Sequence, residues 1–316
     1  MRIVEGSPRR ESPVTLAVAA SLSYRRVLLV LIAIVILVLA VLARPARAQL
    51  LVGEDDPSEP IWAVNVVTNQ ATPVLSGFGA VAMAVDGNTN TLYFMTNTVT
   101  LYKWNLNTPQ TPPTLVGTTV NSAGQNLSLT GLAFDNANNR LYASRTLDSS
   151  SGPEGFYEVN RGSGVSTLKF GVTATSFDFG GFDYDPLTGN FYANNDVGAT
   201  GIYRVDFANN NVNFVAPYPQ TSDNPPDIDG LAVGGGKIYM VEDRAVQTGG
   251  KVYVYNLTSG AYETPLQTPW FFNETFAGAT YIPNFSDFMA NIPEPCGATA
   301  LLLVGAGALS RRRARG

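Results

Sequence analysis

Five times between residues 61 and 256 the chain spells one short phrase: an apolar residue, an aromatic, a free position, an apolar residue, then Asn or Asp. The copies are Ile61-Trp62-Ala63-Val64-Asn65, Leu101-Tyr102-Lys103-Trp104-Asn105, Phe156-Tyr157-Glu158-Val159-Asn160, Ile202-Tyr203-Arg204-Val205-Asp206 and Val252-Tyr253-Val254-Tyr255-Asn256. Their aromatics fall 40, 55, 46 and 50 residues apart. A period of this size marks a repeat architecture, in which each unit covers its apolar faces only by packing on its neighbours.

A second phrase precedes four of the copies and joins two strand-like runs through an Asp, Asn or Gly turn. It pairs Met83-Ala84-Val85-Asp86 with Leu92-Tyr93, Leu132-Ala133-Phe134-Asp135 with Leu141-Tyr142, Phe182-Asp183-Tyr184-Asp185 with Phe191-Tyr192, and Leu231-Ala232-Val233-Gly234 with Ile238-Tyr239. Turn residues such as Asp86-Gly87-Asn88 and Asp185-Pro186-Leu187-Thr188-Gly189 separate runs rich in aromatic and β-branched residues. Each unit therefore holds two hairpins, or four short strands, which predicts an all-β chain folded as a β-propeller. The segment Phe276 to Ile282 matches an innermost strand but has no hairpins after it. Its partners are expected at the other end: Gln49 to Val52 and Ile61 to Asn65 as second and third strands, and Pro73-Val74-Leu75 as the fourth. The expectation is a five-bladed propeller over residues 49–291 whose last blade is closed by both termini, leaving no open sheet edge around the ring.

The residue types present exclude much chemistry. There is no His, and the single Cys is Cys296, near the C-terminus. Ser-His-Asp and Cys-His catalysis, His-bound metal and thiolate zinc are thereby excluded from the body. Gly234-Gly235-Gly236 has no following Lys-Ser/Thr and reads as a hairpin turn, not a phosphate loop. Carboxylates remain. Asp178, Asp183, Asp227, Asp229 and Glu274 fall on or just before the expected innermost strands of three consecutive blades, the segments that line a propeller's channel mouth. Spacing of two, as in Asp227/Asp229 and Asp183/Asp185, places side chains on one face of a strand. Such a group can bind Ca²⁺, with Asp178, Asp227 and Asp229 as its ligands, or supply the acid and base of a glycosidase. The glycosidase reading rests on an analogy of fold alone. Asp135 and Asp185 are expected to form turns by hydrogen-bonding the backbone two residues on. Phe177-Asp178-Phe179 and Trp270-Phe271-Phe272 can stack on sugar rings or pack between blades, and packing is the expectation.

Charge divides body from ends. Between Gln49 and Ile292 there are nine Lys and Arg against 22 Asp and Glu, a balance of −13, whereas the other 11 basic residues lie outside that span. A body so acidic repels nucleic acid and anionic lipid. Arg25 and Arg26 lead into the apolar run Val27 to Ala43, and Ala46-Arg47-Ala48 offers small residues for cleavage before Gln49. Residues 1–48 thus read as a signal peptide, most suited to general secretion, with an uncleaved anchor as the alternative.

At the other end Ile292-Pro293-Glu294-Pro295 precedes the apolar stretch Cys296 to Leu309 and then Arg311, Arg312, Arg313 and Arg315. Three parts in this order resemble the PEP-CTERM sorting signal. The resemblance implies recognition by an exosortase that cuts near Pro293-Glu294-Pro295, making residues 292–316 a transient transmembrane tail. Cys296 directly after the motif departs from the usual pattern. A plain tail anchor is the alternative, and arginines held on the cytoplasmic side place the body outside in either case. An apolar stretch of about 14 residues covers only about 21 Å, short for a hydrocarbon core.

The wording Gly131-Leu132-Ala133-Phe134-Asp135 with Leu141-Tyr142-Ala143 is similar to the repeats of NHL-type and gluconolactonase-type propellers. That similarity implies the fold and no activity. The sequence thus points to an exported, envelope- or matrix-associated propeller, a non-enzymatic binding or structural module. Its expected partners are exosortase and secretion machinery and an envelope protein or extracellular polysaccharide. The competing reading is a carboxylate-dependent glycoside hydrolase or lyase acting on extracellular polysaccharide.

Overall fold

The repeat phrase has a local cause visible in the computed structural model. Its closing Asn or Asp accepts the backbone N–H two residues on in all five copies: Asn65 from Val67, Asn105 from Asn107, Asn160 from Gly162, Asp206 from Ala208 and Asn256 from Thr258, at 2.9–3.0 Å. Asp86, Asp135 and Asp185 do the same for Asn88, Ala137 and Leu187 at 3.0–3.1 Å. Such side-chain turns reverse the chain without a partner strand. Four residues after several of these comes a residue in the left-handed region, Asn69, Asn90, Asn139 and Asn210 with φ of 50–57°. Asparagine tolerates that conformation far better than a branched side chain, which explains the chain's wealth of Asn at hairpin ends.

The structure describes residues 49–145, 152–172, 176–220, 226–243, 250–267, 276–283, 288–289 and 292. The leader with Ala46 and Ala48, Glu274, Trp270 to Phe272, and the tail from Pro293 through Arg313 lie outside them. Among the described residues no helix is long and apolar enough to cross a membrane.

Strands β1 (Gln49–Glu54), β2 (Ile61–Asn65) and β3 (Gln70–Leu75) open the fold. The first complete blade is β4 (Ala82–Asp86), β5 (Thr91–Met95), β6 (Thr100–Asn105) and β7 (Thr114–Thr118). The second is β8 (Gly131–Asp135), β9 (Arg140–Arg145), β10 (Gly155–Val159) and β11 (Ser166–Gly171). The third is β12 (Phe179–Asp185), β13 (Asn190–Asn195), β14 (Gly201–Asp206) and β15 (Asn211–Pro217). The fourth is β16 (Ile228–Gly234), β17 (Lys237–Glu242) and β18 (Lys251–Asn256), edged by the short β19 (Ala261–Tyr262) and β20 (Leu266–Gln267). Finally β21 (Phe276–Tyr281) returns to pair antiparallel with β1, giving the order β21-β1-β2-β3. The ring is thus an all-β, five-bladed propeller whose fifth blade joins the two ends of the body.

Five apolar clusters fill the five gaps between blades. One couples the first and second blades through Tyr93, Met95, Leu132, Phe134 and Leu141. Another couples the second and third through Phe156, Phe179, Phe182 and Phe191. The gap between fourth and closing blades holds Leu50, Val52, Tyr239, Val241 and Phe276. No cysteine helps; the ring stands on this packing. Phe177 and Phe179, stacked at 5.3 Å, belong to the interblade packing, as expected for aromatics beside propeller strands. Phe288 meets Trp104 edge-on at 5.8 Å, and Met289 and Ile292 pack on the same cluster, so the apolar core reaches past β21.

The axis is sealed. Ala82, Gly131, Gly181, Gly230 and Gly278 hold the same place in the five innermost strands, and between those strands no water-sized space remains. A Cβ on Gly181 would stand 2.6 Å from the Asp229 carbonyl oxygen, and one on Gly278 would stand 2.4 Å from that of Ala80. Small residues are required there because backbone meets backbone.

Candidate functional site

Above the seal, where the innermost strands begin, lies an open basin of about 270 Å³. Two blades build its acidic wall by one rule. In the third blade Asp178 precedes β12 and Asp196 follows β13, and the Asp196 N–H donates to the Asp178 carbonyl at 3.2 Å. In the fourth blade Asp227 precedes β16 and Asp243 follows β17, with the same bond at 2.8 Å. The closing blade supplies Asp55, directly after its second strand β1, in the position of Asp196 and Asp243. The facing wall is neutral: Val81, Thr98 and Thr130 of the first and second blades.

Asp229 reaches the basin through a bulge. Ile228 faces Glu242 and Gly230 faces Val241, so Asp229 is the extra residue of β16. A bulge leaves its extra residue out of the ladder and re-aims its side chain. Asp229 is therefore half-buried in the basin while Asp227, two residues earlier, stays exposed. A matching irregularity in β12 lies between Phe179 and Phe182. There the buried Asn194 accepts from the Gly181 N–H and donates to the Ile228 carbonyl, tying the two bulged strands together.

Crowding carboxylates in a half-buried space makes ionisation costly. Burial, with the charges of Asp243 and Asp196, pushes Asp229 up to about 8. Burial also lifts Asp196 to about 7, against the pull of the Tyr218 hydroxyl, which donates to it at 2.7 Å. Asp243 is raised by burial while a hydrogen bond with Asp229 holds it down. At neutral pH the basin therefore shares protons among its acids.

Of the five carboxylates singled out in the sequence, the fold brings Asp178 and Asp229 into the lining of this basin, while Asp227 stays exposed outside the lining, near enough for its charge to act on Asp229. Asp183 stands apart. It lies five residues beyond Asp178 on a strand that crosses the ring, about 17 Å at 3.3 Å per residue, and lines a separate 230 Å³ cavity at the opposite face. There it is buried, accepts the N–H of Val233 at 2.7 Å and of Tyr184 at 2.8 Å, and burial raises it well above the ordinary carboxylate range. Those bonds bridge the backbones of the third and fourth blades, a structural task. The sequence pattern of inner strands does not point to Asp55, Asp196 and Asp243. Their signal is an acid or amide followed by Asp at the end of three of the five second strands: Glu54-Asp55, Asn195-Asp196 and Glu242-Asp243.

Calcium requires six to eight oxygens around one point. Among the described residues no three acidic side chains stand close enough to hold one ion between them. As arranged, Asp178, Asp227 and Asp229 do not fit a ready-built calcium site.

Ring, seal and acidic basin together define a five-bladed β-propeller with an acidic mouth. No protein-family model matches the chain, and no curated protein matches it. Among solved structures it is similar to a chain in a crystal structure of a nidogen/laminin complex, with TM-score 0.48 and 15% identity over 74% of this chain and 98% of that one. It is also similar to a structural-genomics protein of unknown function from Bacteroides thetaiotaomicron, with TM-score 0.46 and 17% identity over 72% of this chain and 60% of that one. These likenesses carry no argument about a ligand or a reaction.

Proposed function

We propose that this protein is an exported, envelope- or matrix-associated propeller that holds a partner in its acidic basin without transforming it. The observation that carries the reading is the convergence of carboxylates from three consecutive blades over a sealed axis. Nothing passes through such a ring, so a ligand rests on the floor and is gripped from one side. Its groups must donate hydrogen bonds or carry positive charge: the hydroxyls of a polysaccharide or a basic segment of an envelope protein. Export is supported by the leader and by the tail around Pro293, Glu294 and Pro295, with exosortase as the sorting partner. Fractionation of cells expressing the full chain with and without an exosortase tests that part. The expected result is release to the envelope or medium only with the enzyme; a body retained in the cytoplasm overturns it.

A second reading is favoured by the proton that Asp229 retains near neutral pH. A carboxyl that keeps its proton can act as the acid of glycoside hydrolysis, which also needs a second carboxylate as base; Asp229 takes the first role and Asp178, in the lining of the same basin, is the candidate for the second. Incubating the protein with a panel of extracellular polysaccharides separates the two. Binding with no new reducing ends supports the holding role, with Asp229→Asn weakening it severalfold. Reducing ends that disappear in Asp229→Asn would establish the hydrolase instead.

A further inference from the structure

A cavity larger than the basin lies elsewhere on the ring. A groove of about 710 Å³ opens between the first and second blades, near the ends of β4 and β8 and so on the face away from the acidic basin. That volume lies within the usual range of small-molecule sites, about 300–1,000 Å³. Its charge runs against the rest of the body. Of the nine basic residues in the body, Lys103, Arg140 and Arg161 line this one groove. Lys169 stands beside it, 3.1 Å from Glu158.

The cations are held differently. Arg161, just past the turn that Asn160 makes, lies 5.4 Å above the Phe134 ring and 3.4 Å from the buried Asp86 carboxylate. The Phe134 ring stacks in turn on Tyr93 at 5.9 Å, and the Tyr93 hydroxyl meets the same guanidinium. A guanidinium has five N–H donors, and this one is fixed in place with part of its surface open. Arg140 pairs with Glu158 at 3.2 Å at an exposed site. Lys103 is exposed, and none of the ion pairs among the described residues involves it.

We propose that this groove binds a carboxylate-bearing saccharide. Lys103, Arg140 and Arg161 would hold the acid group, while Glu158 and the amides of Asn105 and Asn139 take the sugar hydroxyls. Three cations against two carboxylates suit a ligand with sparse negative charge among many hydroxyls, since Glu158 accepts from hydroxyls but repels a dense polyanion. A phosphate-rich chain is further disfavoured by the −13 balance of the body. A peptide would draw on several exposed apolar anchors, yet Leu141, Val159 and Tyr93 are buried in the interblade cluster and Pro112 alone of the apolar lining residues is exposed. The inference stands apart from the basin reading, since it uses other residues on the other face.

Titration calorimetry of the purified full chain with trigalacturonate, maltotriose and triglutamate tests it. Trigalacturonate is expected to bind, more weakly as salt rises, and to lose at least tenfold in affinity in Lys103→Glu and in Arg140→Gln. Both side chains are exposed, so melting temperatures should hold, and Lys103→Arg should keep binding. Asp229→Asn should leave this binding unchanged. Absent binding, equal affinity for maltotriose, equal affinity for triglutamate, or a loss that follows Asp229→Asn would each overturn the proposal; the last would return the ligand to the basin.

Discussion

Gly278→Val is expected to leave the chain unable to close its ring. The added side chain would begin 2.4 Å from the Ala80 carbonyl oxygen and 3.1 Å from the Ala82 nitrogen, both backbone atoms that cannot swing away. β21 would have to leave the axis, taking Phe276 and Ala279 from the cluster that joins the fourth and closing blades. Buried aromatic and aliphatic side chains contribute roughly 2–5 kcal/mol each when truncated. Losing several exceeds the whole margin of a domain, about 5–15 kcal/mol. Deleting Gly278 to Pro283 should have the same outcome by removing the strand itself. Circular dichroism and a thermal melt check both; a β-type spectrum with an unchanged transition would mean that the ends do not close the ring.

The second large effect is a stability that falls as pH rises. Asp229 titrates at about 8 in the folded chain against 3.8 for the unperturbed group, and Asp196 at about 7. Between pH 3.8 and 8 the folded state therefore binds protons that the unfolded state has released. With more protons on the folded side, unfolding free energy declines with increasing pH across that window. For one such proton the decline is about 1.4 kcal/mol for every pH unit crossed. Discounted for the open side of the basin, Asp229 should cost about 2–4 kcal/mol between pH 5 and pH 8.5. The absence of His makes the measurement cleaner, because no imidazole titrates there. Melting temperature should drop over this range in the wild-type chain and drop much less in Asp229→Asn, which should be the more stable protein at pH 8.5. A wild-type melting temperature that climbs over the same interval would refute the assignment.

The blade plan was legible in the sequence because it is written locally. Asn65, Asn105, Asn160, Asp206 and Asn256 each fold a turn within a few residues, and the runs between them are rich in aromatic and β-branched residues. Closure was legible for a related reason: Phe276 to Ile282 is a strand lacking partners, and the segments beginning at Gln49 are partners lacking an inner strand. The similarity to NHL-type repeats is of this kind, a grammar of strands and turns. The basin was only half legible. Asp178 and Asp227 announce themselves by preceding an inner strand and Asp229 by standing at the start of one, but Asp196, Asp243 and Asp55 follow the far ends of second strands. Only antiparallel pairing brings those ends back. Asp183 misled for the converse reason, since adjacency along a strand that crosses the ring means opposite faces. The groove around Lys103 and Arg161 could not be read at all. Its walls are 58 residues apart in the chain, and they meet only because two blades are neighbours.

The pairing of β1 with β21 also sets an order of events. Leu50 faces Tyr281, 231 residues away, so the first strand made waits for almost the last. Closing so long a loop costs about 3 kcal/mol more than closing a hairpin of a few residues, and the ring recovers that cost only when every intervening blade is in place. A chain cut short in synthesis or nicked near its end carries the strands of four blades and an unmatched edge, and gains nothing from the seal at the axis. The fold thereby tests each molecule for completeness: only a body present from Gln49 to Tyr281 can latch.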